Sequence, residues 1–288
     1  ALRALGRGAL LTAVPALRAL RRARMRVVLA APSWLRDVAA LTGAVDRLHP
    51  TEDLAELAWP GPLDLAVNLH GKGPRSHERL LALGPDRLWA YAHPDFPEVK
   101  GPEWDEHEHE VARWCRLVSW YGLAADPADL ALRVPRGRRP PPGTVLVHVG
   151  GKGTARRWPP ERFAAVAREL SRRGHPVLLT GDARERPLAL RVATAAHLPP
   201  SAVLAGRTSL RALCGLVAHA RLLVTTDTGI AHLATAYDTP SVIIFGPEPP
   251  SRWGPPPDRP WHRVLHKGPD PAAVTVDEVL AAVTGRPA

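Results

Sequence analysis

The chain holds only two cysteines among its 288 residues, and that scarcity excludes something. Cys115 and Cys214 fall within helical patterns and neither has metal-ligand spacing, so a disulfide framework is not expected and a reducing cytoplasm is the simpler home. No uninterrupted apolar run approaches the ~18 residues of a membrane span. The apolar opening from Ala9 to Leu20 is broken by Pro15 and Arg18, and it reads as an amphipathic helix rather than a secretory leader. The chain opens on Ala1 instead of Met, which leaves room for a short preceding piece. No two aspartates stand in an Asp-x-Asp spacing, so metal chemistry has no obvious anchor and no cofactor is expected.

What is abundant is arginine. Lysine accounts for only four of the 38 basic residues (72, 100, 152 and 267), leaving 34 arginines and a net charge of +10. With 32 prolines and abundant alanine, part of this excess is the coding bias of a GC-rich genome. The remainder suggests an anionic partner: a nucleotide, a phosphorylated acceptor or a membrane surface. Nucleic acid is not expected, because the basic residues are spread over folded elements and no nucleic-acid motif accompanies them.

Strands alternate with helices through the second half. Val145 to Val149, Val177 to Thr180, Ala202 to Leu204, Leu222 to Val224 and Val242 to Phe245 read as buried strands. Helices are expected from Pro160 to a stop at Gly174, from Arg184 to Ala196, from Leu210 to His219 behind an N-capping Ser209, and from Gly229 to Tyr237. This spacing implies βαβ units and a parallel sheet covered on both faces. The first half repeats the theme less clearly, with candidate strands at Arg26 to Leu29, Leu63 to Asn68 and Leu88 to Tyr91. The Pro/Gly/Arg-rich stretch before Thr144 suits a linker at 136–143, between α/β domains at 1–135 and 144–288. Ligands of such folds bind at the carboxyl ends of the strands, here in a cleft between the two domains.

Two segments carry chemistry. In the first, a strand runs directly into Thr226-Asp227-Thr228-Gly229 and a helix follows at once. Asp227 or Thr228 would cap that helix, Gly229 would admit a ligand close to the backbone, and the free N–H groups and dipole would attract an anion. His232, one turn in, lies on the Thr228 side. An ordinary capped helix would read the same way. The second segment, Gly150 to Arg157, is a Gly-rich loop after a strand carrying Lys152, Thr154, Arg156 and Arg157. It suits a diphosphate but lacks the Gly-Lys-Ser/Thr ending of a Walker loop.

The run from Asp227 through Pro240, continuing to Phe245-Gly-Pro and Arg252-Trp-Gly-Pro255, resembles the signature of glycosyltransferase family 9, the heptosyltransferases. Arg156 to Phe163, Ala205 to Leu210 and Pro15 to Leu20 match the same family. The resemblance implies a GT-B fold, with two Rossmann-like domains of parallel sheets and the donor on the C-terminal one. It also implies metal-free, inverting transfer of heptose from an ADP-sugar donor, with another nucleotide sugar left open as the alternative. By that resemblance Asp227 would hold sugar hydroxyls, and the Thr228 and Gly229 N–H groups with His232 would contact the diphosphate or adjoining sugar. Thr154 and Arg156 would neutralise the departing ADP, with Lys152 in the same loop. Glu185, or less directly Asp182, would hold the ribose, and the backbone near Thr208 would meet the adenine.

One position departs from the family. Where the pattern reads Gly-Leu-Gly-Asp, with its Asp as general base, this chain has Gly6-Arg7-Gly8-Ala9. Alanine cannot take a proton, and a positioned base commonly contributes ~10²–10⁴-fold in rate. Three readings stay open: an introduced substitution, a substitute base, or donor binding without efficient transfer. Arg7 departs too, so a single introduced change does not account for the segment. His70, at the end of a first-domain strand, is the candidate substitute, although a histidine satisfied at a strand end would look alike. Asn68 and Lys72 would line the same acceptor-side wall, facing a glycan, glycolipid or natural-product acceptor. The run Asp105 to Glu110 has the wrong histidine spacing for a metal and suits a helix start before Val111 to Tyr121. Arginines 18, 21, 22, 24 and 26 read as a solvated helix face, or as a peripheral contact with an anionic membrane or an acceptor phosphate.

Overall fold

The computed structural model describes residues 1–52, 54, 57–137, 139–151 and 153–284, with the backbone alone at position 154. The chain divides into two compact units, residues 1–133 and 134–288.

In the first unit, helices α1 (Arg7–Thr12) and α2 (Val14–Arg22) precede strand β1 (Val28–Ala31), helix α3 (Arg36–Leu41) and strands β2 (Arg47–Pro50) and β3 (Ala66–Val67). Helix α4 (Arg75–Leu81), strand β4 (Leu88–Trp89) and helix α5 (Glu110–Trp120) follow. The strand pairs β1–β2 and β3–β4 are both parallel, and residues 1–3 join them. Leu2 bridges to Ala30 on one side and to Asn68 on the other. Its N–H donates to the Val67 carbonyl at 2.9 Å, while the Arg3 N–H donates to Ala30 at 2.9 Å. The opening residues are thus the middle strand of this sheet, which the sequence reading did not foresee. The helix expected over Ala9 to Leu20 is broken at Ala13, the C-cap of α1 and the N-cap of α2, with Pro15 in the first turn of α2. Helices α2 and α5 pack together, and Leu17, Leu20, Trp114 and Leu117 on them are buried.

The second unit is one five-stranded parallel sheet in the order β6-β5-β7-β8-β9. Its strands are β5 (Val145–His148), β6 (Val177–Thr180), β7 (Leu222–Thr226), β8 (Ser241–Ile244) and β9 (His262–Leu265). Helices α6 (Pro160–Arg172), α7 (Arg186–Ala195), α8 (Leu210–Ala218), α9 (Gly229–Ala236), α10 (Pro250–Trp253) and α11 (Val276–Thr284) connect and cover them. Every residue of β5, β7 and β8 is buried, as expected of a parallel sheet shielded on both faces. Val145, Val147, Phe163, Val166, Leu179, Val224 and Ile244 share the main core. The strand expected at Ala202 to Leu204 is instead a 3-10 turn (Pro200–Ala202) followed by a single bridge from Val203 to Leu179. Arg173 is the C-cap of α6, and Gly174 follows in the left-handed region (φ 85°), which its missing side chain permits.

Candidate functional site

In the second sheet the chain leaves β5 for β6 on one side and then returns to place β7 on the other. The loops at the carboxyl ends of β5 and β7 therefore flank a reversal of strand order, where open α/β sheets bind ligands. Both segments singled out from the sequence lie there.

The loop after β5 is tied down at each end. Gly150 has no room for a side chain, since a Cβ would meet the Glu185 carboxylate oxygens at 2.2 Å. Glu185 accepts from the Gly151 N–H at 3.0 Å and the Asp182 N–H at 2.7 Å, joining the loops after β5 and β6. The Arg157 Nε donates back to the Gly151 carbonyl at 3.1 Å. Trp158 then enters the core, edge-on to Phe163, with its Nε1 donating to the Val274 carbonyl at 2.9 Å. Between these anchors Thr154–Arg156 forms one 3-10 turn that delivers the Arg156 side chain. Lys152 and the Thr154 side chain lie outside the described residues.

At the end of β7, the Asp227 N–H donates to the Ile244 carbonyl at 2.9 Å, continuing the sheet by one residue. Thr228 occupies the N-cap of α9 with extended backbone, but neither it nor Asp227 caps the helix through its side chain. The Thr228 hydroxyl turns back toward β7, 3.1 Å from the Thr225 hydroxyl and 3.3 Å from the Thr226 carbonyl. Among the described residues, the N–H groups of Gly229 and Ile230 meet no acceptor, which leaves the helix start open to an anion.

Arg156 joins the two segments. Its guanidinium stands 3.6 Å from Asp227 and donates to Glu248 at 2.6 Å, Glu248 lying just beyond β8. Burial pushes the Asp227 carboxyl up to about 6, the Arg156 charge pulls it back down, and the Glu248 charge adds to the rise. His232 is half-buried on α9, with its ring edge-on to Trp253 of α10 at 6.1 Å. Thr208 is half-buried beside Ser209, whose hydroxyl caps α8 by accepting from Ala212, as its sequence position implied. The residue before that loop is held near β6, because Gly206 donates to the Gly181 carbonyl at 3.1 Å. Glu248 was missed by the sequence reading. It directly follows Phe245-Gly-Pro247, but nothing local marks it as a partner for Arg156.

Of the residues expected on the acceptor side, Asn68 is placed differently from expectation. Asn68 is fully buried and lines no wall. Its amide donates to the Ser76 hydroxyl at 2.8 Å, and its oxygen accepts from the His70 N–H at 3.0 Å, so it shapes the turn after β3. Lys72 is exposed and paired with Glu106 at 2.5 Å. His70 is half-buried at the carboxyl end of β3. Ala9 lies in the first turn of α1, half-buried.

A buried guanidinium connects Ala9 to Leu69, the residue before His70. Arg3, 1% exposed, donates to the Ala9 carbonyl at 2.8 Å and to the Leu69 carbonyl. It also pairs with Glu110 at 3.4 Å and lies 4.3 Å from the Trp114 ring centre. Glu110 receives Arg113 as well, and the Trp114 Nε1 at 3.2 Å. The acidic run is thereby spent on structure: Glu106 on Lys72, Glu108 on Arg116, and Glu110 on Arg3 and Arg113. His109 caps α5 by accepting from the Val111 N–H. Three of the five arginines around α2 are internal partners too: Arg18 and Arg22 on Asp129, and Arg21 on Asp46. A cavity of about 620 Å³ opens toward the amino ends of the first sheet, lined by Val27, Trp59, Leu63 and Arg87 among others. Of the residues the sequence singles out, it takes only Arg24 and Arg26, and none of the donor-side or acceptor-side candidates. Among the described residues no helix is long and apolar enough to cross a membrane.

The profile of glycosyltransferase family 9 (heptosyltransferase) matches residues 107–279. Lipopolysaccharide heptosyltransferase 2 of Salmonella typhimurium is 35% identical over 101 residues, 34% of this chain and 29% of that protein. Lipopolysaccharide heptosyltransferase 1 of Pseudomonas aeruginosa is 39% identical over 114 residues, 39% and 31% of the two chains. These alignments span less than a third of either relative's length. Among solved structures, the family 9 glycosyl transferase of Veillonella parvula superposes with a TM-score of 0.81 at 17% identity, covering 98% of this chain and 94% of that one. An E. coli heptosyltransferase solved with ADP gives 0.75 at 17% identity, covering 98% and 97%. At such identities the likeness establishes the fold, the GT-B class that the sequence resemblance implies.

Proposed function

This chain belongs to glycosyltransferase family 9, and we propose that it moves a heptose or similar sugar from an ADP-sugar to an acceptor hydroxyl, with inversion and without a metal. The observation that carries the reading is the open start of α9, with Asp227 and Arg156 beside it at the carboxyl edge of the second sheet. In this reading residues 144–288 hold the donor, residues 1–135 the acceptor, and 136–143 join them.

The Gly229 and Ile230 N–H groups and Arg156 receive the diphosphate, with Thr154 and Lys152 in the same loop. His232 and the Thr228 N–H stand next to it, Asp227 takes sugar hydroxyls, Glu185 the ribose, and the backbone at Thr208 the adenine. The acceptor oxygen attacks the anomeric carbon, and the carbon–oxygen bond to phosphate breaks. ADP leaves with the electron pair, its growing charge met by fixed dipoles and the guanidinium. His70 takes the acceptor proton in place of the carboxylate absent at Ala9. Asn68 acts by shaping the His70 turn, and Lys72 by its place beside that turn. The acceptor is a glycan, glycolipid or natural product. The setting is the cytoplasm, with the inner membrane face as the meeting place if the acceptor is a lipid.

Ala9 supports a second reading, a donor-binding protein without efficient transfer. The two separate cleanly. The enzyme reading expects purified protein to bind ADP-heptose and turn it over, and His70→Ala to lower kcat by about 10²-fold or more. If Ala9→Asp alone restores turnover to a protein that only binds donor, the second reading holds. If ADP-heptose neither binds nor stabilises the protein, both fall.

A further inference from the structure

Arg156 is shared by two carboxylates, at 2.6 Å from Glu248 and 3.6 Å from Asp227, before any ligand arrives. The two charges acting on Asp227 are those of Arg156 and Glu248, and the Glu248 charge already resists a second anion there. Beside these carboxylates, the N–H groups at the start of α9 offer the place for a diphosphate. We propose that Glu248 is a specificity-determining residue that favours a sugar-capped nucleoside diphosphate over the free nucleoside diphosphate. The inference rests on the donor reading given above.

The chemistry follows from what lies beyond the second phosphate. In an ADP-sugar that position carries a neutral group rich in hydroxyls, each able to donate to Asp227 or Glu248. In free ADP nothing lies beyond it: the second phosphate is itself terminal and gains a further negative charge above a pKa of about 6. A terminal phosphate has no proton to offer the carboxylates, and it competes with Glu248 for Arg156. A paired Asp227 and Glu248 therefore suit the donor and oppose the product. After transfer, Glu248 reclaims the guanidinium as ADP departs.

Calorimetric titration of ADP and of ADP-heptose at pH 8, into wild type, Glu248→Gln and Glu248→Asp, tests this. Removing the repelling carboxylate is expected to tighten ADP about tenfold in Glu248→Gln, equivalent to about 1.4 kcal/mol. ADP-heptose should change less than about threefold, because the hydrogen bonds it loses to Glu248 offset the gain. Glu248→Asp retains the charge and should keep the wild-type ratio of the two affinities. Glu248 is partly exposed in an ion pair, so both variants should fold, and unchanged thermal midpoints check this. An unchanged ratio in Glu248→Gln, or the same change in Glu248→Asp, overturns the role of Glu248 and leaves the donor reading standing. Wild-type protein that binds neither ligand overturns both.

Discussion

Asp227 illustrates how a binding residue is maintained at the expense of stability. Its carboxyl is raised from 3.8 to about 6, with burial as the first cause. The folded chain therefore holds that proton more tightly than the unfolded chain. The stability linked to it is complete below about pH 4 and is lost as pH rises through about 6. Asp227→Asn should accordingly stabilise the ligand-free protein by about 1–3 kcal/mol at pH 8 and have little effect near pH 4, measured by urea denaturation. The same variant should lose ADP-heptose binding. A variant no more stable than wild type at pH 8 would contradict the burial argument. Arg3 presents the opposite case. Burial lowers it to about 10, so it stays charged at neutral pH against Glu110. Arg3→Met should cost about 3–5 kcal/mol by leaving Glu110 with one fewer cation. Arg3→Met combined with Glu110→Gln should cost less than the sum of the single changes, because the two side chains share one network.

Among the elements, the outer strand β9 carries the clearest liability to acid. His262 is buried, its Nδ1 2.8 Å from the Ser241 hydroxyl of β8, and burial lowers its pKa to about 4. Here the unfolded chain takes up the proton first, so stability present above about pH 6.5 is lost as pH falls toward 4. Between pH 7 and pH 4.5 the wild type should lose about 2–3 kcal/mol more than His262→Gln, read from urea midpoints at each pH. The elements also differ in how plainly the sequence announces them. Strands β5, β7 and β8 are buried throughout, so their apolar runs show without ambiguity. Strand β2 reads Arg-Leu-His-Pro with exposed ends, and β9 reads His-Arg-Val-Leu, so neither carries an apolar run to detect. The α9 start was legible because Thr-Asp-Thr-Gly follows a strand without a spacer. Glu248 was not, because its partner Arg156 lies 92 positions away and only the sheet order brings them together. Asn68 was read as a wall residue because the sequence cannot distinguish a polar side chain facing a ligand from one that closes its own turn.

For the molecule as a whole, the count of 38 basic residues overstates the free positive surface. Arg18, Arg21 and Arg22 are engaged with Asp129 and Asp46, which leaves less of the α2 region to meet an anionic membrane. Arg21→Ala and Arg22→Ala should each cost under about 1 kcal/mol, as exposed ion pairs do. Neither should alter sedimentation with vesicles containing anionic lipid. A marked loss of vesicle binding in either variant would restore the helix face as a membrane contact.

The position of residues 1–3 in the middle of the first sheet also affects how the molecule is made. These residues pair with residues 28–30 on one side and with 67–69 on the other. Residues 1–3 leave the ribosome before their far-side partners, which are not available until residue 69 has been synthesised. The segment must wait through that interval with Leu2 and Arg3 unburied, and the ordering of the first unit is long-range from its first step. Folding of this half should therefore be slow for its size, and its opening residues are the ones a chaperone would most usefully shield.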